Sequence, residues 1–281
     1  MMIPRFIIYS ALFVAMTALA QDNNYTWKNG EVIERTIASE ILTPPGFVRV
    51  TVDDSSFAEW LRYLPLKKAG TPVFLHNGQR KGNQEAHFAV IDIDPGTRNL
   101  QQCADAVMRL RAEYLYSRGD YEVIHFKFTS GDEASFRRWI TGYRPIVNGN
   151  NVTWEKRAQP DSSYQCFREY LEIVFTYAGS YSLSQELKSR RQPGAIQIGD
   201  LFIKGGFPGH AVIVIDMAYD SLLGEKLFLL AQSYMPAQDI HILKNPNDAN
   251  LSSWYKLPSG PTLVTPEWVF KVDELKCFDS E

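Results

Sequence analysis

The chain has 281 residues, of which 45% are hydrophobic and 22% charged, and its formal net charge is −3. These values are ordinary for a globular protein, and the balanced charge lacks the basic footprint of a nucleic-acid-binding protein. We therefore expect no nucleic-acid partner. The length suits one large domain or a compact pair.

The first 20 residues have the pattern of a signal peptide. Arg5 precedes a mostly apolar stretch over 6–16, and Ala18-Leu19-Ala20 has the small–x–small form of a cleavage site. The apolar stretch is shorter than the roughly 20 residues of a membrane span. We expect cleavage near Ala20 and a periplasmic or secreted protein whose mature chain has no integral membrane span; an uncleaved anchor is the alternative.

We expect residues 21–281 to form a single domain, with an irregular segment over 21–50 and a polar tail from Asn245 that wraps the surface. Apolar residues at helical spacing predict a helix over 57–64, capped by Asp54 or Ser55 and ended by Pro65. The apolar runs over 73–75 and 88–93 predict two strands.

The clearest predicted element is a helix over 100–116. Asn99 is a suitable N-cap, and Gln102 stands at the capping-box position three residues later. Cys103 falls on the apolar stripe of this helix, in its first turn. The positive end of the helix dipole favours a thiolate there.

Further helices are predicted from Asp132 to Trp139, from 161 or 162 to 178, and over 184–190. Cys166 lies in the apolar stripe of the second of these, which indicates a core position. The three cysteines, Cys103, Cys166 and Cys277, allow at most one disulfide and leave at least one thiol.

Three apolar runs, 198–204, 210–218 and 226–234, are separated by turns that contain glycine. We expect the first to pair with the second and the second with the third. Helices followed by an antiparallel sheet predict an α+β fold with the helices packed on one face. In such a hairpin, His210 and Gln232 lie on the same sheet face.

These segments resemble a known superfamily. Gly199–Ile203, followed by Gly209–Ile215, resembles the histidine segment of NlpC-type papain-like cell-wall peptidases and their amidase relatives, where a "GD-apolar" strand precedes a "GH-apolar" strand. The helix of Cys103 is similar to that superfamily's nucleophile helix. The resemblance implies a papain-like fold in which Cys103 is the nucleophile, His210 the general base and Gln232 the group that orients the imidazole.

The chain also departs from that superfamily. Its nucleophile motif, Asp-Cys-Ser-Gly, is replaced by Gln-Cys-Ala-Asp over 102–105, and the separation of Cys103 from His210 requires an insertion. A second resemblance, carried by 100–116 and 232–243, is to an exported family typical of Bacteroidetes. That resemblance implies an envelope location and no particular activity.

Together these features predict a secreted, monomeric thiol hydrolase that cleaves an amide bond in a peptide or peptidoglycan fragment and needs no cofactor. Backbone amides at the start of the cysteine helix would stabilise the oxyanion, with Gln101 or Gln102 as helpers. The five histidines form no metal signature. The alternative is a non-catalytic envelope binding protein on the same fold, with aromatic residues at its cleft: Tyr143, Trp154 and Tyr234.

Overall fold

The computed structural model describes residues 24–190, 192–220 and 222–279. The predicted signal peptide and its cleavage site lie outside these residues. Across the described ranges, no helix combines the length and the apolar character needed to cross a bilayer.

The structure is a mixed α+β fold, which confirms the coarse class predicted from the sequence. The helices are α1 (Ile37–Glu40), α2 (Phe57–Arg62), α3 (Cys103–Ser117), α4 (Phe136–Ile140), α5 (Tyr164–Tyr177) and α6 (Ser180–Glu186). The strands are β1 (Val48–Arg49), β2 (His87–Val90), β3 (His125–Lys127), β4 (Glu133–Ser135), β5 (Tyr143–Asn148), β6 (Asn151–Lys156), β7 (Lys188–Ser189), β8 (Leu201–Lys204), β9 (His210–Tyr219), β10 (Lys226–Gln232), β11 (His241–Leu243), β12 (Trp254–Lys256), β13 (Thr262–Val264), β14 (Val269–Lys271) and β15 (Leu275–Cys277).

A nine-stranded antiparallel sheet forms the centre of the molecule. Its main path runs β2-β11-β10-β9-β8-β15-β7, while β1 pairs with β9 and β12 with β10. The predicted pairings of β8 with β9 and of β9 with β10 are both confirmed. The long apolar strand β9 therefore has a paired strand on each side, and His210 is its first residue.

Side chains along β9 alternate between two cores. Ala211 and Ile213 point into the larger core, which also contains residues of α2, α3 and α5. Val212 and Val214 point to the opposite face. That second face packs against apolar residues of the C-terminal segment: Tyr255, Leu263, Phe270 and Leu275. The sheet is thus covered on both sides.

Two predicted helices have N-cap residues other than those expected, although α2 starts at Phe57 as predicted. Helix α2 is capped by Ser56, and α3 begins at Cys103 with Gln102 as its N-cap residue. The N-cap amide of Gln102 donates to the Asp105 carboxylate at 3.0 Å, so Asp105 completes the first turn. The expected cap, Asn99, instead accepts the Ala237 amide at 2.8 Å. A tertiary contact has displaced the helix start.

Two further segments differ from the predictions. The run over 73–75 forms only isolated bridges, and the helix expected from Asp132 is shortened to α4 because β4 occupies its first part. The short helix expected over 184–190 is α6, which begins at Ser180. The hairpin β5–β6 was not predicted, although the Gly149-Asn150 turn between two alternating segments is its sequence signal.

The C-terminal segment is not the surface tail expected from its polar composition. β12 joins the central sheet against β10, and β15 joins it against β8. Trp254 and Phe270 are fully buried. Its strands are only three residues long, which is too short for their apolar periodicity to appear in the sequence.

Candidate active site

His210 and Gln232 meet at one end of the central sheet. His210 opens β9 and Gln232 closes β10, and a register shift opposite Leu229 and Leu230 places both side chains on one face. The imidazole Nε2 lies 2.7 Å from Gln232 Oε1. Because an amide oxygen can only accept, Nε2 carries the proton and Nδ1 keeps the lone pair.

Glycine at position 209 is required by the close turn that leads into His210. A Cβ on Gly209 would lie 2.4 Å from the Gly206 carbonyl oxygen and 2.8 Å from that of Lys204. Both neighbours are backbone atoms that cannot rotate away. The turn therefore explains Gly209 by steric contact alone, and it does not account for His210.

Cys103 is the first residue of α3, and two contacts hold that helix start against the chain that follows β10. Ser233 Oγ donates to the Gln101 carbonyl at 3.0 Å, and Asn99 accepts the Ala237 amide. The backbone N–H of Ala211, next to His210, lowers the pKa of the Cys103 thiol, so the sulfur lies beside the start of β9. The fold thus brings Cys103, His210 and Gln232 to one place.

The resting pair is neutral. Burial raises the pKa of Cys103 to about 11, assisted by the nearby Asp105 charge and opposed by the backbone amides of Ala211, Ala104 and Cys103. Burial also lowers the pKa of His210 to about 4. Within the described residues, no hydrogen bond joins the sulfur to the imidazole. The helix dipole alone therefore does not produce the thiolate expected from the sequence, because desolvation outweighs it.

Aromatic rings enclose the imidazole. The rings of Tyr234, Trp268 and Phe270 lie 4.7, 5.3 and 5.7 Å from that of His210. His210 is only 1% exposed, whereas Cys103 is partly exposed. A substrate would therefore approach from the side of the sulfur, with the base shielded from solvent behind it.

The sequence did not indicate the polar residues behind Gln232. Glu267 Oε2 accepts a hydrogen bond from the Gln232 side-chain N–H at 2.7 Å, and Lys81 Nζ lies 2.5 Å from the same oxygen. His241 Nε2 is 3.4 Å from Gln232 Nε2 and is fully buried. Glu267 lies in the C-terminal segment and Lys81 in a loop, so no local pattern could have joined them to the site.

The two glutamines proposed as oxyanion helpers differ in what they can donate. Gln101 is buried, its Oε1 accepts Arg109 Nη1 at 2.6 Å, and its Nε2 has no partner among the described residues. Gln102 Nε2 donates to Asn99 Oδ1 at 3.3 Å. Gln101 therefore keeps both N–H donors unpaired beside the helix start, whereas Gln102 uses one of its two on Asn99.

The other cysteines lie away from this arrangement. Cys166 is buried in α5, where its sulfur accepts the Trp139 indole N–H at 3.2 Å, as expected of a core residue. Cys277 lies on β15 near the Lys188 carbonyl. All three thiols are free. Among the residues that the structure describes, no group of three metal-ligating side chains is present.

Asp105→Asn should stabilise the protein in a pH-dependent way. Burial raises the pKa of Asp105 to about 8, and its Oδ1 has no partner in the described structure. Because the folded-state pKa lies above the unfolded value of about 4, the protein has its full stability below about pH 4. That stability falls as pH rises from about 4 towards 8, since the unfolded state releases the proton first. The variant avoids this loss while its amide oxygen still accepts the Gln102 N–H.

We expect the free energy of unfolding of Asp105→Asn to exceed that of the wild type by at least about 1.4 kcal/mol near pH 8, the equivalent of one pKa unit. Urea denaturation at several pH values measures it. The gain should grow between about pH 4 and about pH 8 and then level off. A gain that is the same at every pH would contradict the assignment of a buried, protonated carboxyl.

Comparison with known proteins gives a family but no activity. Residues 37–277 match the model of a family described as a domain of unknown function (4846), DUF4846. No curated protein and no solved structure matches the chain. The chemistry must therefore be argued from the geometry of the site.

Proposed function

We propose that this chain, which belongs to the DUF4846 family, is a papain-like thiol hydrolase that cleaves an amide bond through an acyl-enzyme intermediate. The observation that supports it most is the 2.7 Å bond from His210 Nε2 to Gln232 Oε1, beside a cysteine at a helix N-terminus. A thiol nucleophile requires a base, and the base an orienting group. Cys103, His210 and Gln232 follow one another in the chain in the order nucleophile, base and orienting group.

In the proposed reaction, Cys103 Sγ attacks the amide carbonyl carbon while His210 Nδ1 takes the thiol proton. The imidazolium then gives this proton to the leaving amine, and water hydrolyses the thioester with the same imidazole as base. A neutral thiol and a neutral imidazole suit this route, because the proton moves during the attack. The backbone N–H groups at the start of α3 and Gln101 Nε2 would stabilise the oxyanion.

We propose peptide stems of peptidoglycan as the substrate class, from the superfamily resemblance and the expected export to a bacterial envelope. Incubation of the purified mature protein with muropeptides, followed by mass spectrometry, tests this. Products shortened at an amide bond and formed only in the presence of Cys103 support the proposal. Unchanged muropeptides together with an unreactive Cys103 would count against it.

A non-catalytic binding protein is the second candidate, and aromatic side chains beside a surface groove favour it. Tyr143 and Trp154 lie under the Arg138 guanidinium, at 5.4 and 5.0 Å. Trp154 also lines a groove of about 680 Å³ on the surface of the β5–β6 hairpin. Tyr234, by contrast, contacts His210.

Alkylation of Cys103 by iodoacetamide separates the two candidates. We expect slow labelling near neutral pH that accelerates as pH approaches about 11, because the thiolate reacts far faster than the neutral thiol. If the imidazole takes the thiol proton, His210→Ala should slow neutral labelling by about 100-fold. Mass spectrometry of the labelled peptide distinguishes Cys103 from Cys166 and Cys277. A rate that is indifferent to His210 would favour the binding protein.

A further inference from the structure

Behind the site, a chain of polar contacts fixes the direction of the Gln232 amide. His241 Nδ1 lies 2.9 Å from the Asp239 carbonyl, which can only accept, so His241 Nε2 carries no proton. That bare nitrogen faces both Lys81 Nζ and Gln232 Nε2 at 3.4 Å. Each contact in this cluster therefore has one donor and one acceptor.

Glu267 contributes the strongest constraint on Gln232. Its Oε2 accepts the Gln232 amide N–H at 2.7 Å, and Lys81 holds the same carboxylate at 2.5 Å. The side chains of Lys81 and Glu267 are only 7% and 12% exposed, so water screens the pair weakly. A flipped amide would turn the Gln232 oxygen towards a carboxylate and an unprotonated nitrogen. Both contacts would then be repulsive.

We propose that Glu267, held by Lys81, is a positioning residue for His210. By fixing the Gln232 amide, it selects the imidazole tautomer that has its proton on Nε2 and a free lone pair on Nδ1. The inference rests on the proposed function, because that lone pair matters only if His210 receives a proton from Cys103. A wrong tautomer would present an N–H to the thiol and could not accept its proton.

The test uses a double variant of the full mature protein, Lys81→Met with Glu267→Met, which leaves the net charge unchanged. A matched control, Lys256→Met with Glu225→Met, removes an exposed ion pair of 2.8 Å elsewhere. The first readout is the tautomer of His210, from the ring-nitrogen shifts of protein labelled with ¹⁵N-histidine; the spectrum of His210→Ala assigns the signals. The second readout is the alkylation rate of Cys103.

We expect the wild type and the control to show a single Nε2-protonated tautomer. The double variant should show both tautomers and an alkylation rate about tenfold lower, the lower end of the effects of losing an outer orienting partner. Glu267→Gln keeps the size of the side chain and should show a smaller population of the second His210 tautomer. This variant is the test if the double variant does not fold. An unchanged tautomer in every folded variant overturns the proposal.

The same experiment keeps the two proposals apart. If His210→Ala leaves the alkylation of Cys103 unchanged, the thiol–imidazole chemistry fails, whatever the tautomer shows. If His210→Ala slows alkylation but the double variant keeps the wild-type tautomer and rate, the hydrolase proposal stands and the positioning role of Glu267 is wrong.

Discussion

Cys103→Ala should abolish amide hydrolysis, lowering the rate about 10⁴-fold or more, while the free energy of unfolding changes by about 1 kcal/mol or less. The sulfur is the only atom proposed to bond to the substrate, and Cys103 is partly exposed, so its loss leaves a small cavity at most. Product formation from muropeptides and urea denaturation measure the two quantities.

His210→Ala should lose as much activity, because residues that act as a unit are not additive. Gln232→Ala should lose only part of it, since it orients the base and moves no proton. Cys166→Ala is the matched control, because it removes the same atoms from a fully buried position where the sulfur accepts the Trp139 N–H. It should lower stability and retain full activity.

The nucleophile assignment is wrong if Cys103→Ala still hydrolyses the substrate. It is also wrong if this variant unfolds as readily as Cys166→Ala, since a large loss of stability is what removal of a purely structural thiol produces. Circular dichroism of each purified variant establishes that lost activity is not lost folding.

The middle of the central sheet was predictable because its signals are local. β8, β9 and β10 are apolar runs bounded by glycine turns, and such turns favour the pairing of consecutive strands. The hairpin therefore predicts that His210 and Gln232 lie near each other, but their shared face required the structure. The pairing next to the turn, Lys226 with Tyr219, would set Gln232 opposite Ile213, and the register shift opposite Leu229 and Leu230 moves it to the face of His210.

The cysteine helix was predictable in kind but not in its first residue. Its apolar stripe is clear, but Asn99 was the expected cap, and the helix instead begins at Cys103 with Gln102 as its N-cap residue. Asn99 accepts the Ala237 amide, a contact between residues far apart in the chain that no local pattern indicates. The direction of the Cys103 pKa shift depends on burial, which also follows from packing between distant segments.

The residues that contact Gln232 and His210 from the C-terminal segment were not predictable. Glu267 and Trp268 lie in a segment whose strands are three residues long and whose composition is polar. Nothing in the local sequence indicates that this segment covers a sheet face, since the cover is assembled from scattered residues such as Leu263 and Phe270. Glu267 and Trp268 are positioned by the pairing of β13 with β14, and that pairing register depends on contacts between strands that the sequence of one strand does not reveal.

Asp216→Asn should destabilise the fold by about 3 kcal/mol or more, because it leaves buried positive charge without a counter-charge. Asp216 is fully buried on β9, and its two oxygens accept Arg62 Nε at 2.8 Å and Arg49 Nε at 2.7 Å. The same guanidinium groups donate to the carbonyls of Val50 and Ile41. One carboxylate thus joins α2 and the residue after α1, Ile41, to the central sheet through the two arginines.

Urea denaturation measures the loss, with Glu225→Gln as the control. That residue forms an exposed ion pair with Lys256, for which we expect less than about 1 kcal/mol. A triple variant, Arg49→Met, Arg62→Met and Asp216→Leu, should recover much of the stability, since apolar replacements of a buried ion cluster are often neutral. If Asp216→Asn costs no more than Glu225→Gln, the carboxylate does not hold the N-terminal segment to the sheet, and apolar packing alone does so.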